Sequence, residues 1–157
     1  MFGKAHPGQA MIESVLAVLG ISFLFFTLFK LSHMLTGKIM LEHAAMRVAR
    51  ARAVGMNEFM CLKAARVAII PVAGERLKPG KDDERKDMSE SALARMYMRT
   101  PDSSYADGLL RYKDWDGLSL SPNGSGVTRT SMKTEWFDLH GEAEVDGPPI
   151  YMNDMGL

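Results

Sequence analysis

The stretch that decides the fold runs from Ala10 to Phe29 and reads AMIESVLAVLGISFLFFTLF. A helix of about twenty residues, rising about 1.5 Å per residue, spans the roughly 30 Å hydrocarbon core of a bilayer. A removable secretory signal would have a shorter apolar region followed by a small-x-small cleavage site, whereas Lys30, Leu31 and Ser32 follow here. The stretch therefore predicts a membrane-spanning helix that stays attached to the rest of the chain.

A short polar leader, Met1 to Gly8, precedes this stretch and ends in a Pro7-Gly8 pair that disfavours helix. The helix is therefore predicted to begin near Gln9. Glu13 then lies about one turn into it, and a carboxylate at full depth in lipid costs roughly 2.5 kcal/mol or more. Such a charge needs a partner or a location in contact with water.

Two motifs carry a family resemblance. The segment 8–13, GQAMIE, resembles the cleavage motif of type IV prepilins, in which a glycine ends a short basic leader and a glutamate is the fifth residue of the mature chain. The run Ala44–Arg52, AAMRVARAR, is similar to the alanine-arginine run of TadE-like pseudopilins from bacterial tight-adherence systems. Gln9 stands where many type IV pilins have an aromatic residue, and no proline interrupts the apolar stretch, so the subfamily stays open.

The resemblance implies a structural role, as a minor pilin or pseudopilin that helps assemble a Tad-type or related type IV pilus for adherence. A prepilin peptidase would cut between Gly8 and Gln9. The Glu13 carboxylate would then pair with the Gln9 amine of an adjoining subunit in an apolar bundle, where burial makes the pairing position-selective. The alternative for Glu13 is that it snorkels to the headgroup region of a plain single-span anchor.

The resemblance also implies partners and a location. The partners would be other pilin or pseudopilin subunits, the prepilin peptidase, an inner-membrane pilus assembly platform and membrane lipid. The chain would be a single-pass protein of the bacterial inner membrane, with its N terminus cytoplasmic and its C-terminal domain outside. Basic residues flank the span on both sides, among them Lys4, Lys30 and Lys38. Read literally, the positive-inside rule places the C-terminal part in the cytoplasm, so charge alone does not decide the orientation.

Three regions are predicted: a leader over residues 1–8, a long helix over 9–55 with its span at about 10–29, and an α+β head over 56–157. The alanines near the end of the long helix permit close helix approach. In the head, Gly55 stops the long helix and Asn57 caps a helix over 58–70 that Pro71 ends. An exposed loop over 72–87 follows, and then a helix from a Ser89 cap to Arg99.

Beyond this, two segments alternate polar with apolar or aromatic residues, over 109–115 and 127–139, on either side of a turn signal over 121–126. They predict a small C-terminal antiparallel sheet packed on the helices. Its core is expected to draw on a set of aromatic residues: Tyr105, Tyr112, Trp115, Trp136 and Phe137.

Charge and cysteine usage exclude some function classes. The formal net charge of zero conceals about +4 up to Gly55 and about −4 beyond it. From Glu135 onward no lysine or arginine balances the acidic residues, which argues against a nucleic-acid partner. Cys61 is the only cysteine, so no intramolecular disulfide forms, and Cys61 is expected to be a small buried hydrophobe.

The chain lacks the motifs of known catalytic and metal centres. His6, His33, His43 and His140 are scattered, without a zinc-protease, phosphate-loop or nucleophile-elbow pattern. The segments 114–117 and 140–144 hold possible metal ligands without a diagnostic spacing, and solvated turns are the alternative for both. The sequence therefore predicts no enzyme activity, no cofactor and no metal site.

Two alternatives to a tight-adherence subunit remain open. A pseudopilin of type II secretion shares the Gly8 and Glu13 pattern but does not typically carry the alanine-arginine run. A membrane-anchored binding domain that is never cleaved at Gly8 would instead use its external part to recognise a ligand or an envelope partner.

Overall fold

The computed structural model describes residues 7–121, 127–134 and 138–144. The fold is α+β, as predicted: a long N-terminal helix, shorter helices, and two small antiparallel sheets in the C-terminal part. The chain divides into two compact units, Met1–Leu35 and Thr36–Leu157. The second unit, called the head below, therefore includes the second half of the long helix.

The long helix, α1, spans Pro7–Ala53. It ends where predicted, because Gly55 takes a positive φ of 74°. The backbone N–H of Gly55 donates to Arg52 O and that of Met56 donates to Ala51 O, which is the Schellman pattern of hydrogen bonds. Only glycine adopts this left-handed conformation without steric cost, so the stop is encoded locally.

Three shorter helices follow: α2 (Glu58–Ala68), α3 (Glu90–Arg99) and α4 (Ser103–Leu109). The predicted caps of α2 and α3 are confirmed, since Asn57 accepts a hydrogen bond from Met60 N and Ser89 accepts one from Ala92 N. The prediction extended α2 to residue 70, but a 3₁₀ turn over Ile70–Val72 takes its place there. Pro71 has no N–H with which to continue an α-helix.

The prediction missed α4 and overestimated one strand. The Asp102 carboxylate caps α4 by accepting a hydrogen bond from Ser104 N, so the start of this helix is encoded locally. The segment 109–115, predicted to be a strand, contains only the two-residue strand β2 (Arg111–Tyr112). A 3₁₀ turn over Lys113–Gly117 follows it.

Strand β2 pairs antiparallel with β1 (Arg76–Lys78), which lies inside the predicted exposed loop. The loop prediction is therefore wrong in part. Two further backbone hydrogen bonds, from Lys113 N to Glu75 O and from Asp114 N to Ala73 O, extend this pairing. A strand this short, in a charged segment, is stabilised by its partner rather than by its own sequence.

The second sheet has the order β3-β4-β5, all antiparallel, with β3 at Leu118–Leu120, β4 at Val127–Lys133 and β5 at Asp138–Glu144. The alternating segment 127–139, predicted to contribute to an antiparallel sheet, includes β4 and the first two residues of β5. The register of this sheet pairs Ser119 of β3 with Ser131 of β4, and Thr130 of β4 with Gly141 of β5.

This sheet is attached to α1 at two places. The Thr130 hydroxyl donates to the Leu41 carbonyl over 3.1 Å. About three helical turns further along α1, the Arg52 guanidinium donates to the hydroxyls of Ser121 and Thr128 over 3.3 Å and also to the Ser121 carbonyl. Helix and sheet are therefore joined by directional hydrogen bonds as well as by packing.

The core of the head lies between α1, the shorter helices and the sheet. Tyr112 and Trp115 are buried as predicted, but Tyr105 is 62% exposed and that part of the prediction is wrong. Tyr97, which was not predicted, supplies the third aromatic ring, with its centroid 5.2 Å from that of Trp115. Trp136 and Phe137 lie outside the described residues. Cys61 is buried in this core, as expected.

Gly141 allows β5 to lie directly on α1. A Cβ atom added there would come within 2.6 Å of the Leu41 carbonyl carbon and oxygen and within 2.8 Å of Glu42 N. We expect Gly141→Ala to destabilise the head by about 1–3 kcal/mol, because backbone atoms cannot move aside as a flexible side chain does. Denaturant unfolding of the full chain in detergent, followed by tryptophan fluorescence, measures this.

Gly108→Ala is the matched control, since an added Cβ there meets nothing within 4 Å. We expect it to stabilise α4 by roughly 0.5–1 kcal/mol through the entropy of the unfolded chain. Equal stabilities for the two variants would show that β5 does not lie against α1 as described.

Candidate functional site

The first half of α1 exposes its apolar side chains to the surroundings. Thirteen large apolar residues between Met11 and Phe29 are each 56–76% exposed. Covering one such side chain contributes roughly 1.5–3 kcal/mol, so covering all of them amounts to roughly 20–40 kcal/mol. A surface of this kind requires lipid or other protein around it.

Among the described residues, one helix is long and apolar enough to cross a membrane, over Ala10–Ala53, and its most apolar window has a mean hydropathy of 2.2. No part of that window is buried. The helix is therefore consistent with membrane anchoring by its length, its composition and its lack of cover.

The polar groups in the apolar stretch differ in how they are satisfied. The hydroxyls of Ser14 and Thr27 donate to the carbonyls of Ala10 and Phe23, each over 2.8 Å, so both are satisfied within the helix. Glu13 is exposed, and within the described part of the chain no hydrogen bond or ion pair reaches it. Glu13 is thus a group in this stretch whose charge none of the described residues compensates, and such a charge is costly in an apolar environment.

Glu13 lies on a helix face of small side chains. Residues four and seven positions apart share a face of an α-helix, which places Ala17 and Gly20 beside Glu13. A Cβ atom added to Gly20 would meet nothing within 4 Å. Because small residues let two backbones approach closely, this face is the one that a second helix reaches most easily.

The predicted cleavage position, between Gly8 and Gln9, lies in the first turn of α1. The helix begins at Pro7, two residues before the predicted start, because proline is well accommodated at a first helical position where no N–H partner is needed. Gly8 is exposed, with open space around its Cα. The first turn leaves its backbone N–H groups without intrahelical partners, so it is the part of the helix most easily opened.

The alanine-arginine run of α1 has two different sides. Ala44, Ala45, Val48 and Ala49 are buried within the head, whereas the arginines at 47 and 50 are exposed. The small residues therefore let the rest of the head pack closely on this part of α1, in agreement with the close approach predicted for them. Arg52 differs from the other two arginines because it points to the sheet.

Two cations in the interior of the head were not predicted. Lys63 is fully buried, and its ammonium donates to the Tyr97 carbonyl over 2.8 Å and to the Thr100 carbonyl. It also lies 4.7 Å from the centre of the Phe59 ring. Burial lowers the pKa of Lys63, and the Asp107 carboxylate partly opposes this. The cation caps the C-terminal end of α3, where the helix dipole favours positive charge.

Arg66 is the second of these two cations. Its guanidinium donates to the Tyr97 hydroxyl over 3.0 Å and to the Asp107 carboxylate over 2.9 Å. It also lies 5.5 Å from the ring centre of Trp115. Lys63 and Arg66 stand on α2 beside buried alanines and Cys61, and this mixing of cations with an apolar helix face was the signal available in the sequence.

The candidate metal ligands are engaged or dispersed. Over the ranges that the structure describes, no three histidine, cysteine or acidic side chains converge on a common point. In the 114–117 segment Trp115 is buried and Asp116 accepts a hydrogen bond from Arg111 over 2.8 Å. His140 stands exposed on β5, 3.8 Å from Asp138.

Cys61 is embedded among the helices of the head. Burial raises the pKa of its thiol, which Arg52 partly opposes. A thiol of raised pKa is a poor nucleophile at neutral pH, and its surroundings are those of a packing residue.

The comparisons with protein families, with curated proteins and with solved structures give no match for this chain. The geometry and the sequence motifs are therefore what any functional assignment must rest on.

The buried Tyr112 provides a spectroscopic test of the head. Its hydroxyl donates to the Glu90 carboxylate over 3.1 Å, and burial together with that negative charge raises its pKa to about 12. A raised pKa means that this group stabilises the fold below the ordinary tyrosine value near 10, and that the contribution is lost as pH rises toward 12. We expect the difference between the tyrosinate absorbance titrations of the wild type and Tyr112→Phe to have its midpoint near 12.

Glu90→Gln is the matched variant, since it keeps the shape of the side chain and removes its charge. We expect it to move that midpoint downward, because the neighbouring negative charge no longer opposes ionisation. A midpoint near 10 in the wild type would contradict the buried pairing of Tyr112 with Glu90.

Proposed function

We propose that this chain is a TadE-like minor pilin or pseudopilin, a structural subunit that helps assemble a Tad-type or related type IV pilus for adherence. One observation carries the proposal: Glu13, five positions after Gly8, is a carboxylate on an apolar helix, and none of the described residues compensates its charge. The alanine-arginine run at 44–52 supports the TadE-like assignment in particular.

Assembly follows from the electrostatics of Glu13. After cleavage at Gly8, the new amine of Gln9 is a positive charge about one turn before Glu13 of its own chain. In a bundle of such helices, the Glu13 carboxylate pairs with the Gln9 amine of the adjoining subunit. Two opposite charges in an apolar environment tolerate little misalignment, so the pairing fixes the axial position of one subunit against the next.

The small residues beside Glu13 complement this pairing. Ala17 and Gly20 leave room for a neighbouring helix to approach the carboxylate, and the larger side chains on the other faces meet lipid or further subunits. Lateral association thus satisfies both requirements of the first half of α1, the uncovered apolar surface and the uncompensated charge.

The cellular setting follows from this role. The chain is a single-pass protein of the bacterial inner membrane before assembly, with its N terminus cytoplasmic and its head outside the cytoplasm. Its partners are the prepilin peptidase, an inner-membrane pilus assembly platform, membrane lipid and other subunits. It works by association rather than by catalysis, without cofactor, metal or nucleic acid.

The proposal predicts the mature N terminus. We expect mass spectrometry of the protein from its native membrane to find a chain that begins at Gln9, having lost residues 1–8. Gly8→Val should keep the leader, because a branched side chain then stands at the cleaved bond, while its Cβ meets nothing within 4 Å in the folded helix. Gly20→Val is the matched control and should be cleaved like the wild type.

The natural protein retaining residues 1–8 would count against the proposal and favour the uncleaved membrane-anchored binding domain. A pseudopilin of type II secretion would be cleaved in the same way. Uptake by the secretion apparatus separates the two. The chain is expressed in cells that have only a tight-adherence apparatus and in cells that have only a type II secretion apparatus, and the apparatus that incorporates it identifies the system.

Glu13→Ala tests the pairing itself. We expect membrane insertion to be unchanged and incorporation into filaments sheared from cells to drop by at least about tenfold, because the partner amine loses its counter-charge within an apolar bundle. Glu42→Ala is the control, since Glu42 is an exposed glutamate on the same helix outside the apolar stretch. Immunoblotting of the membrane and sheared fractions measures both, and equal incorporation of the two variants would leave the pairing without support.

A further inference from the structure

Two opposite charges lie four residues apart on α1 where it belongs to the head. Lys38 and Glu42 are both exposed, and no described residue forms an ion pair with either of them. A lysine that precedes a glutamate by four positions is the less favourable order for an ion pair within one helix. Both charges are therefore accessible to a second chain.

The same spacing occurs at the start of α1. Glu13 follows Gln9 by four residues, and under the proposed function the amine of Gln9 is the positively charged N terminus. Four residues correspond to roughly 6 Å along a helix. From residue 13 to residue 42 the sequence counts 29 positions, about eight turns, so the two carboxylates recur at the same helical phase. One axial shift between two parallel helices thus suits both pairs.

Charge complementarity selects this shift. Without it, two parallel copies place Glu13 beside Glu13, Lys38 beside Lys38 and Glu42 beside Glu42, and like charges that face each other are unfavourable. With a shift of four residues, Lys38 of one copy lies beside Glu42 of the next. The partner that fits these charges is a second copy of this chain in the same orientation.

We propose that Lys38 forms an ion pair with Glu42 of an adjoining copy of this chain, at the axial shift that pairs the Gln9 amine with Glu13. The inference rests on the proposed function, because it takes its shift from that pairing. An exposed ion pair is weakened by water, so it adds little affinity and acts mainly by disfavouring other shifts. Glu42→Ala, which removes an attraction and introduces no repulsion, therefore remains a suitable control for Glu13→Ala.

Charge reversal in the full chain tests the proposal. Lys38→Glu and Glu42→Lys are expressed alone and then together, with different tags, in cells that lack the wild-type chain. We expect each variant alone to enter sheared filaments about threefold to tenfold less than the wild type, because like charges then face each other at every contact. Expressed together they should regain wild-type incorporation, since one chain then carries two carboxylates at these positions and the other two ammonium groups.

Arg50→Glu is the matched control. It reverses an exposed charge on the same helix, and a shift of four residues places Arg50 beside Met46 and Val54, which carry no charge. We expect it to enter filaments like the wild type.

Cross-linking locates the contact independently of the charges. In a Cys61→Ala background, chains with Lys38→Cys and chains with Glu42→Cys are expressed together, and a short bismaleimide is added to the filaments. We expect at least about tenfold more linked dimer than for Lys38→Cys with Arg50→Cys, because Arg50 lies roughly 12 Å along the helix beyond Glu42.

The outcomes separate this inference from the proposed function. Rescue in the mixture excludes pairing within one chain, because neither variant alone carries opposite charges at the two positions. If the wild type begins at Gln9 and enters filaments, but the mixture gives no rescue and the dimer does not exceed its control, this inference alone is overturned. A wild-type chain that keeps residues 1–8 and enters no filament would overturn both.

Discussion

The structure depends on one constraint: the first half of α1 has an apolar surface that no described part of the chain covers. An uncovered stretch of this length must be surrounded by lipid or by other helices, and it cannot be a stable surface in water. The second half of the same helix has the opposite character, because the other elements of the head pack on its alanines. The first half of α1 thus exposes apolar side chains, and the second half packs within the head. The sequence changes accordingly from large apolar residues to alanines and arginines.

The head has a small core that no intramolecular disulfide stabilises, so it is held together by side-chain packing and hydrogen bonds. The alanines of α1 and α2 bring the helices close together, and Tyr97, Tyr112 and Trp115 fill the space beside them. Lys63 and Arg66 add directional contacts to this packing, since each cation joins α2 to elements far along the chain. A buried cation is costly unless it is well hydrogen-bonded, so these contacts favour one arrangement of the helices over others.

The parts of the fold that could be predicted are those that the sequence encodes locally. Gly55, Asn57 and Ser89 act on the residues next to them, so the ends of the helices they flank were found from the sequence. The strand β1 was not, because its pairing depends on residues more than thirty positions away. The exposed Tyr105 and the buried Tyr97 show the same limit, since the sequence of a short helix does not indicate whether an aromatic residue faces the core or the solvent. Glu13, the main candidate residue, was visible because a charge in an apolar run is itself the anomaly.

The two attachments between α1 and the sheet have a mechanical consequence. Thr130 of β4 holds Leu41, and about three helical turns further along α1 Thr128 of β4 and Ser121, directly after β3, hold Arg52. A pull along the axis of α1 loads both attachments in shear at once, so neither can peel away before the other. Tension applied to the helix is in this way transmitted to the whole sheet, and the head resists traction as a unit.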